Sequence, residues 1–216
     1  MRWLVFAAVL PCALAACART PAPVVSLNAD PLPPSEQAWH DTIAPADQAL
    51  LEELPSIWTQ VLATARKRSA AKIDAEGPLL EADAALDHPA LPPGSYWCRV
   101  VRLGKIAGRN LIESFAPKFC YIRDEEKGLS FTKQSGSDLP AGYLYADGEQ
   151  RYVFLGARQD APGDVSLGYG VKPDRDVAGV VERVGPFRWR LVAPRDGGKG
   201  IDVYELTPVP ADQQPS

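Results

Sequence analysis

The chain has 216 residues, of which 46% are hydrophobic and 23% charged, which are the proportions of a soluble globular protein. Its formal net charge of −4 and the absence of any basic run argue against nucleic acid as a partner. Two histidines and four cysteines supply few ligands for a metal site, so we expect no cofactor.

The first segment, 1–16, has the layout of a secretory signal peptide. Met1-Arg2 precedes an apolar run, and a stretch of small residues follows and ends at Cys17. The segment Leu14-Ala15-Ala16-Cys17 resembles the lipobox of bacterial lipoproteins, a family in which this cysteine is acylated and becomes the mature N-terminus. The alternative is an ordinary cleaved signal with an incidental cysteine.

The lipoprotein resemblance implies a location and a membrane partner. Cys17 is the expected lipid-attachment residue, and several acyl chains on one residue are enough for stable anchoring. Family members with aspartate after the cysteine tend to stay in the inner membrane. Because Ala18 stands there in this sequence, the resemblance implies an outer-membrane anchor with the protein facing the periplasm.

A proline-rich stretch then separates the anchor from the folded part. We interpret 17–38 as the lipidated cysteine and its tether. The remainder divides into a single folded domain at 39–208 and a disordered tail at 209–216. Within the domain we expect a helical part at 41–70 and a β part at 94–208, joined by an irregular connection.

The helical part carries an apolar stripe with three- and four-residue spacing, which predicts an amphipathic helix that packs on the β part. The stripe consists of Leu50, Leu51, Leu54, Ile57, Trp58, Val61, Leu62 and Ala65. Pro55 interrupts the stripe without shifting its register, so we expect a kinked helix or two abutting helices.

The β part contains eight short runs of aromatic and β-branched residues separated by turn signals. The predicted strands are 95–103, 119–123, 129–133, 142–146, 151–155, 180–184, 188–193 and 201–206. Asp147-Gly148 and Asp196-Gly197 predict hairpin turns. The fold class is therefore α+β, with the kinked helix on an antiparallel, eight-stranded barrel or a strongly curved sheet.

Cysteine usage predicts one disulfide. Cys12 leaves with the signal peptide and Cys17 carries lipid, so Cys98 and Cys120 remain as a single pair. In an oxidising compartment we expect them to be bridged, the alternative being two free buried thiols.

Several motifs of the β part resemble a family of Gram-negative envelope domains of unknown function. They are Pro93-Gly94-Ser95-Tyr96-Trp97-Cys98-Arg99, Phe119-Cys120, Ala141-Gly142-Tyr143-Leu144-Tyr145, Phe154-Leu155-Gly156, Gly179-Val180-Val181-Glu182-Arg183 and Trp189-Arg190-Leu191. The resemblance covers about 39–208 and implies one unit of helix and sheet, with no catalytic residues to carry over. The pattern also looks faintly like small β-barrel inhibitors of proteases or lysozyme.

No catalytic motif has the context that its chemistry needs. Ser130-Phe131-Thr132-Lys133 matches Ser-x-x-Lys, but on a predicted strand the two side chains point to opposite faces. A second match, Ser69 to Lys72, lies at the C-terminal end of the predicted helix, where the dipole disfavours an alkoxide. His40 and His88 stand apart from other metal ligands.

The remaining candidate site is a binding surface on the seventh predicted strand. Alternation there predicts Phe187, Trp189 and Leu191 in the core, with Arg188 and Arg190 exposed. Arginine and aromatic residues are enriched at binding hot spots. We therefore expect a non-catalytic binding or accessory module for an envelope protein or a small ligand. The alternative is an envelope enzyme with an unrecognised active site.

Overall fold

A computed structural model of the protein describes residues 37–106 and 109–214. The predicted signal peptide, Cys17 and the tether up to residue 36 lie outside these residues. The helices are α1 (Gln37–His40), α2 (Pro45–Glu52) and α3 (Leu54–Asp74). The strands are β1 (Gly94–Ile106), β2 (Arg109–Ser114), β3 (Lys118–Glu125), β4 (Gly128–Lys133), β5 (Pro140–Asp147), β6 (Arg151–Arg158), β7 (Asp176–Gly185), β8 (Arg188–Arg195) and β9 (Gly200–Pro208).

Eight of the nine strands in the described residues close an antiparallel barrel. Strands β3 to β9 pair in sequence order, and β1 closes the circle by pairing with β3 through Gly94–Cys98 and with β9 through Tyr96–Gly104. The eight predicted strands and the barrel are thus confirmed. Strand β2, which the sequence did not predict, pairs with the C-terminal half of β1.

Two hairpin turns form where Asp-Gly predicted them. Gly148 between β5 and β6 has φ +76°, and Asp196 and Gly197 between β8 and β9 have φ +53° and +61°. Aspartate and glycine tolerate this left-handed conformation better than most residues, so these turns are encoded locally.

Side chains fill the barrel interior. Alternate residues of every barrel strand point inward and form one buried cluster, which includes Tyr96, Phe131, Phe154, Trp189 and Tyr204. The predicted disulfide between Cys98 and Cys120 is present in this cluster and joins β1 to β3, with a Cα–Cα distance of 5.8 Å.

The helices pack on the outside of the barrel. Helix α3 lies on outward-facing residues of β1, β2, β7, β8 and β9, and forms a second buried cluster with them. Segment α1–α2 packs through Trp39, Ile43 and Leu51 on β6 and β7. Helices α2 and α3 abut at Glu53, with Pro55 in the first turn of α3, as the sequence predicted.

Several predicted boundaries differ from the structure, and two of these differences affect the packing of the domain. Helix α3 continues to Asp74 through a bend at Ser69, since Ile73 extends its buried stripe beyond the predicted end at 70. The chain predicted as a disordered tail is structured as far as Gln214. Val209 is buried and its N–H donates to the carbonyl of Ser95, and a short 3-10 helix follows at Ala211–Gln213.

Within the described residues, no helix has the length and apolar character needed to cross a bilayer.

Candidate functional site

The predicted binding surface at Arg188 and Arg190 is not an open surface. The side chain of Arg190 is 0% exposed, so the prediction that it faces solvent is wrong. Strand alternation placed it correctly on the outside of the barrel. However, the segment that follows α3, around Pro78 to Ala82, crosses β8 at this point and buries the guanidinium.

Arg190 has an unusually complete set of partners for a buried cation. The two N–H bonds of its Nη1 are shared among the carbonyls of Pro78, Leu79 and Glu81, and its Nη2 donates to that of Ala82. Its Nε donates to Glu182 at 2.7 Å. The guanidinium also lies 4.5 Å from the ring centre of Trp58 on α3. These contacts fasten the helical part to the barrel, which is a structural role.

Arg188 belongs to a neighbouring ion-pair network at the C-terminal end of α3. Its Nε donates to Glu205 at 2.6 Å, and the other oxygen of Glu205 accepts from Arg99 at 2.6 Å. Arg99 also binds both carboxylate oxygens of Glu76. Since these groups already satisfy one another, Arg188 has limited freedom to bind a partner.

Phe187 lies outside the core, with 74% of its surface exposed, so the prediction that it is buried is wrong. The pairing of β7 with β8 shifts register between Arg183 and Gly185, and Phe187 lies in the turn before β8 begins. Alternation therefore holds for Trp189 and Leu191, which are buried in the barrel interior as predicted, and fails one residue before the strand.

A large cavity lies on another part of the barrel, over the outward faces of β3, β4 and β5. We call these faces the open wall, because the helices do not cover them. Of their outward-facing residues, only Tyr145 packs against one of the two clusters that the helices form with the barrel. The cavity is a groove of about 610 Å³. Its two sides are the β3–β4 hairpin and the loop that joins β6 to β7.

The groove combines aromatic rings with polar groups. Tyrosine rings, hydroxyls and amides line it, from Tyr143, Tyr145, Tyr169, Ser130, Thr132, Ser166, Gln134 and Gln159. The charged lining groups are two basic, Arg123 and Lys127, and two acidic, Glu125 and Asp164. The lining therefore has no excess of either sign.

A carboxylate at the end of β3 binds hydroxyl groups of the next two strands, β4 and β5, in the groove. Glu125 accepts from the Ser130 hydroxyl at 2.8 Å and from the Tyr143 hydroxyl at 3.1 Å. Burial and the adjacent Glu125 raise the pKa of the Tyr143 hydroxyl, so this phenol stays protonated. The exposed Glu125 is also free to accept hydrogen bonds from a ligand.

The β6–β7 loop is fastened to α2 at one end of the groove. The Tyr169 hydroxyl donates to Asp47 at 2.5 Å and accepts from the backbone N–H of Ala44 at 3.0 Å. The Ser166 hydroxyl donates to the Ala141 carbonyl at 3.2 Å. Burial and Asp47 raise the pKa of Tyr169 far above its ordinary value. These contacts give the groove a defined wall.

A second polar cavity, about 450 Å³ in volume, lies at the end of the barrel where β5 begins and β6 ends. We call it the charged mouth. Arg102 binds both oxygens of Asp202 at 2.7 Å and Asp138 at 3.2 Å. Arg158 and the buried Tyr204 hydroxyl also donate to Asp138, at 2.6 and 3.0 Å.

The pKa values of the two carboxyls of the charged mouth are shifted in opposite directions. Burial raises the pKa of Asp202, although Arg102 opposes this effect. Burial also acts to raise the pKa of Asp138, but the charge and hydrogen bond of Arg158 and the hydrogen bond of Tyr204 bring it below its ordinary value. Asp138 is thus an ionised partner of two arginines.

The two side chains of the Ser-x-x-Lys motif at Ser130 and Lys133 lie apart, as the sequence predicted. Ser130 turns to Glu125, whereas the buried Lys133 ammonium donates to the carbonyls of Ser135, Ser137 and Asp138. Lys133 therefore holds the loop that carries Asp138. Among the described residues, no three or more His, Cys, Asp and Glu side chains are grouped to hold a metal ion.

The sequence identified some groove residues only by type. Tyr143 and Tyr145 belong to the aromatic motif at 141–145, but nothing local showed that helices leave this wall uncovered. The β6–β7 loop gave no strand or helix pattern. Its turn-forming glycines, Gly163, Gly168 and Gly170, all have positive φ and were the available signal for an ordered surface loop.

Comparison with known proteins identifies the family of this chain. A family model described as a domain of unknown function, DUF4893, matches residues 39–206. No curated protein and no solved structure matches the chain.

Proposed function

We propose that this chain, which belongs to the DUF4893 family of domains of unknown function, is a non-catalytic binding module that holds its ligand in the open-wall groove. We place it in the cell envelope, anchored to the outer membrane through Cys17 and facing the periplasm. The lipobox resemblance of Leu14 to Cys17 supports this location.

The observation that carries the proposal is the groove itself. Its volume of about 610 Å³ falls within the range of ligand sites, and it presents aromatic faces beside converging polar groups. Buried side chains fill the barrel interior, so we place the ligand on the outside of the barrel.

The chemistry of the groove favours a neutral oligosaccharide. Sugar rings have apolar faces that can lie on tyrosine rings, and hydroxyl edges that both donate and accept hydrogen bonds. Tyr143, Thr132 and Gln134 offer these complementary groups. The balance of basic and acidic lining residues also favours an uncharged ligand.

Titration calorimetry with maltotriose, cellotriose and chitotriose tests this proposal. We expect at least one of the three to bind the soluble 36–216 fragment, and Tyr143→Ala to weaken that binding about tenfold or more. Tyr121→Ala is the matched control, since Tyr121 lies on β3 but does not line the groove. Absence of binding by all three at about 10 mM, a concentration that saturates even millimolar sites, would overturn the proposal.

The anchor has its own test. In the full chain expressed in a Gram-negative host, Cys17→Ser should remain unprocessed after Ala16 and should carry no lipid. Mass spectrometry of the membrane fraction measures both. A mature mass and a membrane fraction equal to those of the native chain would contradict the lipoprotein assignment.

The alternative is an envelope enzyme with its active site at the charged mouth. Two carboxyls and two arginines, Asp138, Asp202, Arg102 and Arg158, converge on this cavity, and burial raises the pKa of Asp202 in the direction that a general acid needs. An enzyme would convert one of the three trisaccharides to shorter products, detected by chromatography. That activity should disappear in Asp202→Asn, assayed at a temperature at which circular dichroism shows the variant to be folded, and should persist in Tyr121→Ala.

A further inference from the structure

A third cavity, about 460 Å³ in volume, lies at the end of the barrel opposite the charged mouth. The start of β1, the β7–β8 turn and the end of β9 surround it, and we call it the bowl. Its lining includes Tyr96, Pro93, Arg183, Phe187, Trp189 and Pro208. Tyr96 and Trp189 are also members of the interior cluster, so the bowl opens onto the filled barrel core.

Two buried N–H groups at the bowl lack a hydrogen-bond acceptor. They are Nε1 of Trp189 and Nε of Arg183. Trp189 is only 4% exposed. Arg183 pairs directly with Trp189 across β7 and β8, so both side chains lie on the same face of the sheet. Buried donors are nearly always paired in folded proteins, so two unpaired donors at one cavity are available to an acceptor that enters it.

The charge of the bowl restricts the kind of acceptor. Arg183 supplies a positive charge, and none of the described residues that line the bowl is acidic. Nη2 of Arg183 donates to the backbone carbonyl of Asp87 at 2.6 Å, and the guanidinium has no carboxylate partner among the described residues. An anionic head group therefore fits these donors better than a neutral or a cationic one.

The rest of the bowl is apolar. Phe187 stands 74% exposed at the rim, beside Pro186 and Pro208. An exposed phenylalanine ring next to proline rings forms an apolar surface. Covering this surface with a ligand removes it from water and lowers the free energy of the complex. The bowl thus combines buried donors at its floor with an apolar rim.

We propose that the bowl binds a small amphipathic anion, a carboxylate or a similar acid that carries an apolar chain or ring. Its head group accepts hydrogen bonds from Trp189 Nε1 and Arg183 Nε, and its apolar part covers Phe187. Such an anion can come from solution, as a free acid, or from a membrane surface, as an acidic lipid. This site is separate from the open-wall groove.

Nuclear magnetic resonance of the soluble 36–216 fragment tests the contact to Trp189 directly. The indole N–H signal of Trp189 is assigned by its loss in Trp189→Phe, which keeps an aromatic ring in the core. We expect octanoate to shift this signal, with octanol and octylamine, which share its chain length, as matched controls that shift it much less. An equal shift with octylamine would overturn the proposal, and so would the absence of a shift with octanoate together with a negative result in the vesicle experiment below.

Substitutions at the rim and floor supply the second measurement. Phe187→Ser and Arg183→Gln should each weaken octanoate binding about tenfold. Val171→Ser removes another exposed apolar side chain, 61% exposed, which lines neither the bowl nor the open-wall groove, and it should leave binding unchanged. Native affinity in both bowl variants, at unchanged thermal midpoints, would remove these residues from the site.

A vesicle arm separates the two sources of the anion. Phosphatidylglycerol vesicles, but not phosphatidylcholine vesicles, should retain the fragment if the source is an acidic lipid, and Arg183→Gln should abolish this retention. Binding of octanoate without retention by either vesicle identifies a free acid. Failure of both octanoate and phosphatidylglycerol overturns the proposal, whatever trisaccharides do in the groove.

Discussion

The covered and open walls of one barrel give equivalent strand positions opposite environments. Arg190 on β8 and Arg123 on β3 both point outward, yet the first is fully buried and the second is exposed. The difference arises because the helical part packs over β8 and leaves β3 uncovered. Alternation therefore determines whether a side chain points into the barrel, whereas burial outside it depends on where the helices pack.

The two arginines also differ in their partners. Arg190 donates to four backbone carbonyls and to Glu182, and stacks on Trp58. Arg123 has a cation–π contact with Tyr121, 5.7 Å from the ring centre. The same residue type thus fastens two parts of the fold on one wall and remains available for ligands on the other.

The largest expected effect is the loss of Arg190. We expect Arg190→Ala to lower the free energy of unfolding by about 3–5 kcal/mol, because it leaves Glu182 and several buried carbonyls without a donor. Arg123→Ala on the open wall should cost less than about 0.5 kcal/mol. Urea unfolding of the two variants measures both losses of free energy. A loss for Arg190→Ala as small as that for Arg123→Ala would show that the covered wall does not depend on this contact.

The disulfide comes next, since it links β1 of the covered wall to β3 of the open wall. Cys98→Ser with Cys120→Ser should cost about 3 kcal/mol and lower the thermal midpoint by several degrees. Hydrogen exchange should then increase more in β3 to β5 than in β7 to β9. A uniform increase would mean that the two walls unfold as one unit.

Much of the fold was predictable from local patterns. Short alternating runs identified the eight barrel strands, and Asp-Gly identified the turns, since both signals act over a few residues. Strand β2 was missed because Arg109–Ser114 contains only two apolar residues, Leu111 and Ile112, which are adjacent and do not alternate. Its pairing depends on the neighbouring strand β1.

The candidate site was much less predictable than the fold. The positions of Tyr143 and Tyr169 in one groove result from contacts between segments far apart in sequence, such as Tyr169 with Asp47. The burial of Arg190 depends in the same way on the segment around Leu79. The spacing of apolar residues along one sequence indicates helices and strands, but it does not show which distant segments pack together.

Acidification should weaken the charged mouth. The pKa of Asp138 lies below its ordinary value in the folded protein, so its carboxylate stabilises the fold above about pH 4, and this contribution is lost as pH falls through the folded-state pKa. Asp138→Asn should cost about 2 kcal/mol at neutral pH, as for hydrogen bonds to charged groups.

The Asp138→Asn variant is a clean probe of that charge. Asp138 has φ +58°, a conformation that asparagine also tolerates. The stability of the Asp138→Asn variant should therefore depend less on pH in the acidic range than that of the native chain. Urea unfolding of both proteins at several pH values measures this dependence. Parallel pH profiles of the two proteins would mean that Asp138 does not contribute this dependence.

The smallest expected effect is at the floor of the groove, where β4 and β5 pair only through Ser130–Thr132 and Ala141–Tyr143. Tyr143→Phe removes the hydroxyl that donates to Glu125 but keeps the ring. Because Glu125 is exposed and water can replace this donor, the variant should lose less than about 0.5 kcal/mol. A loss above about 1 kcal/mol in urea unfolding would show that the Glu125 bridge holds β4 to β5. In that case the bridge would be part of the fold, and Tyr143 would be less free to meet a ligand than the comparison of the two walls requires.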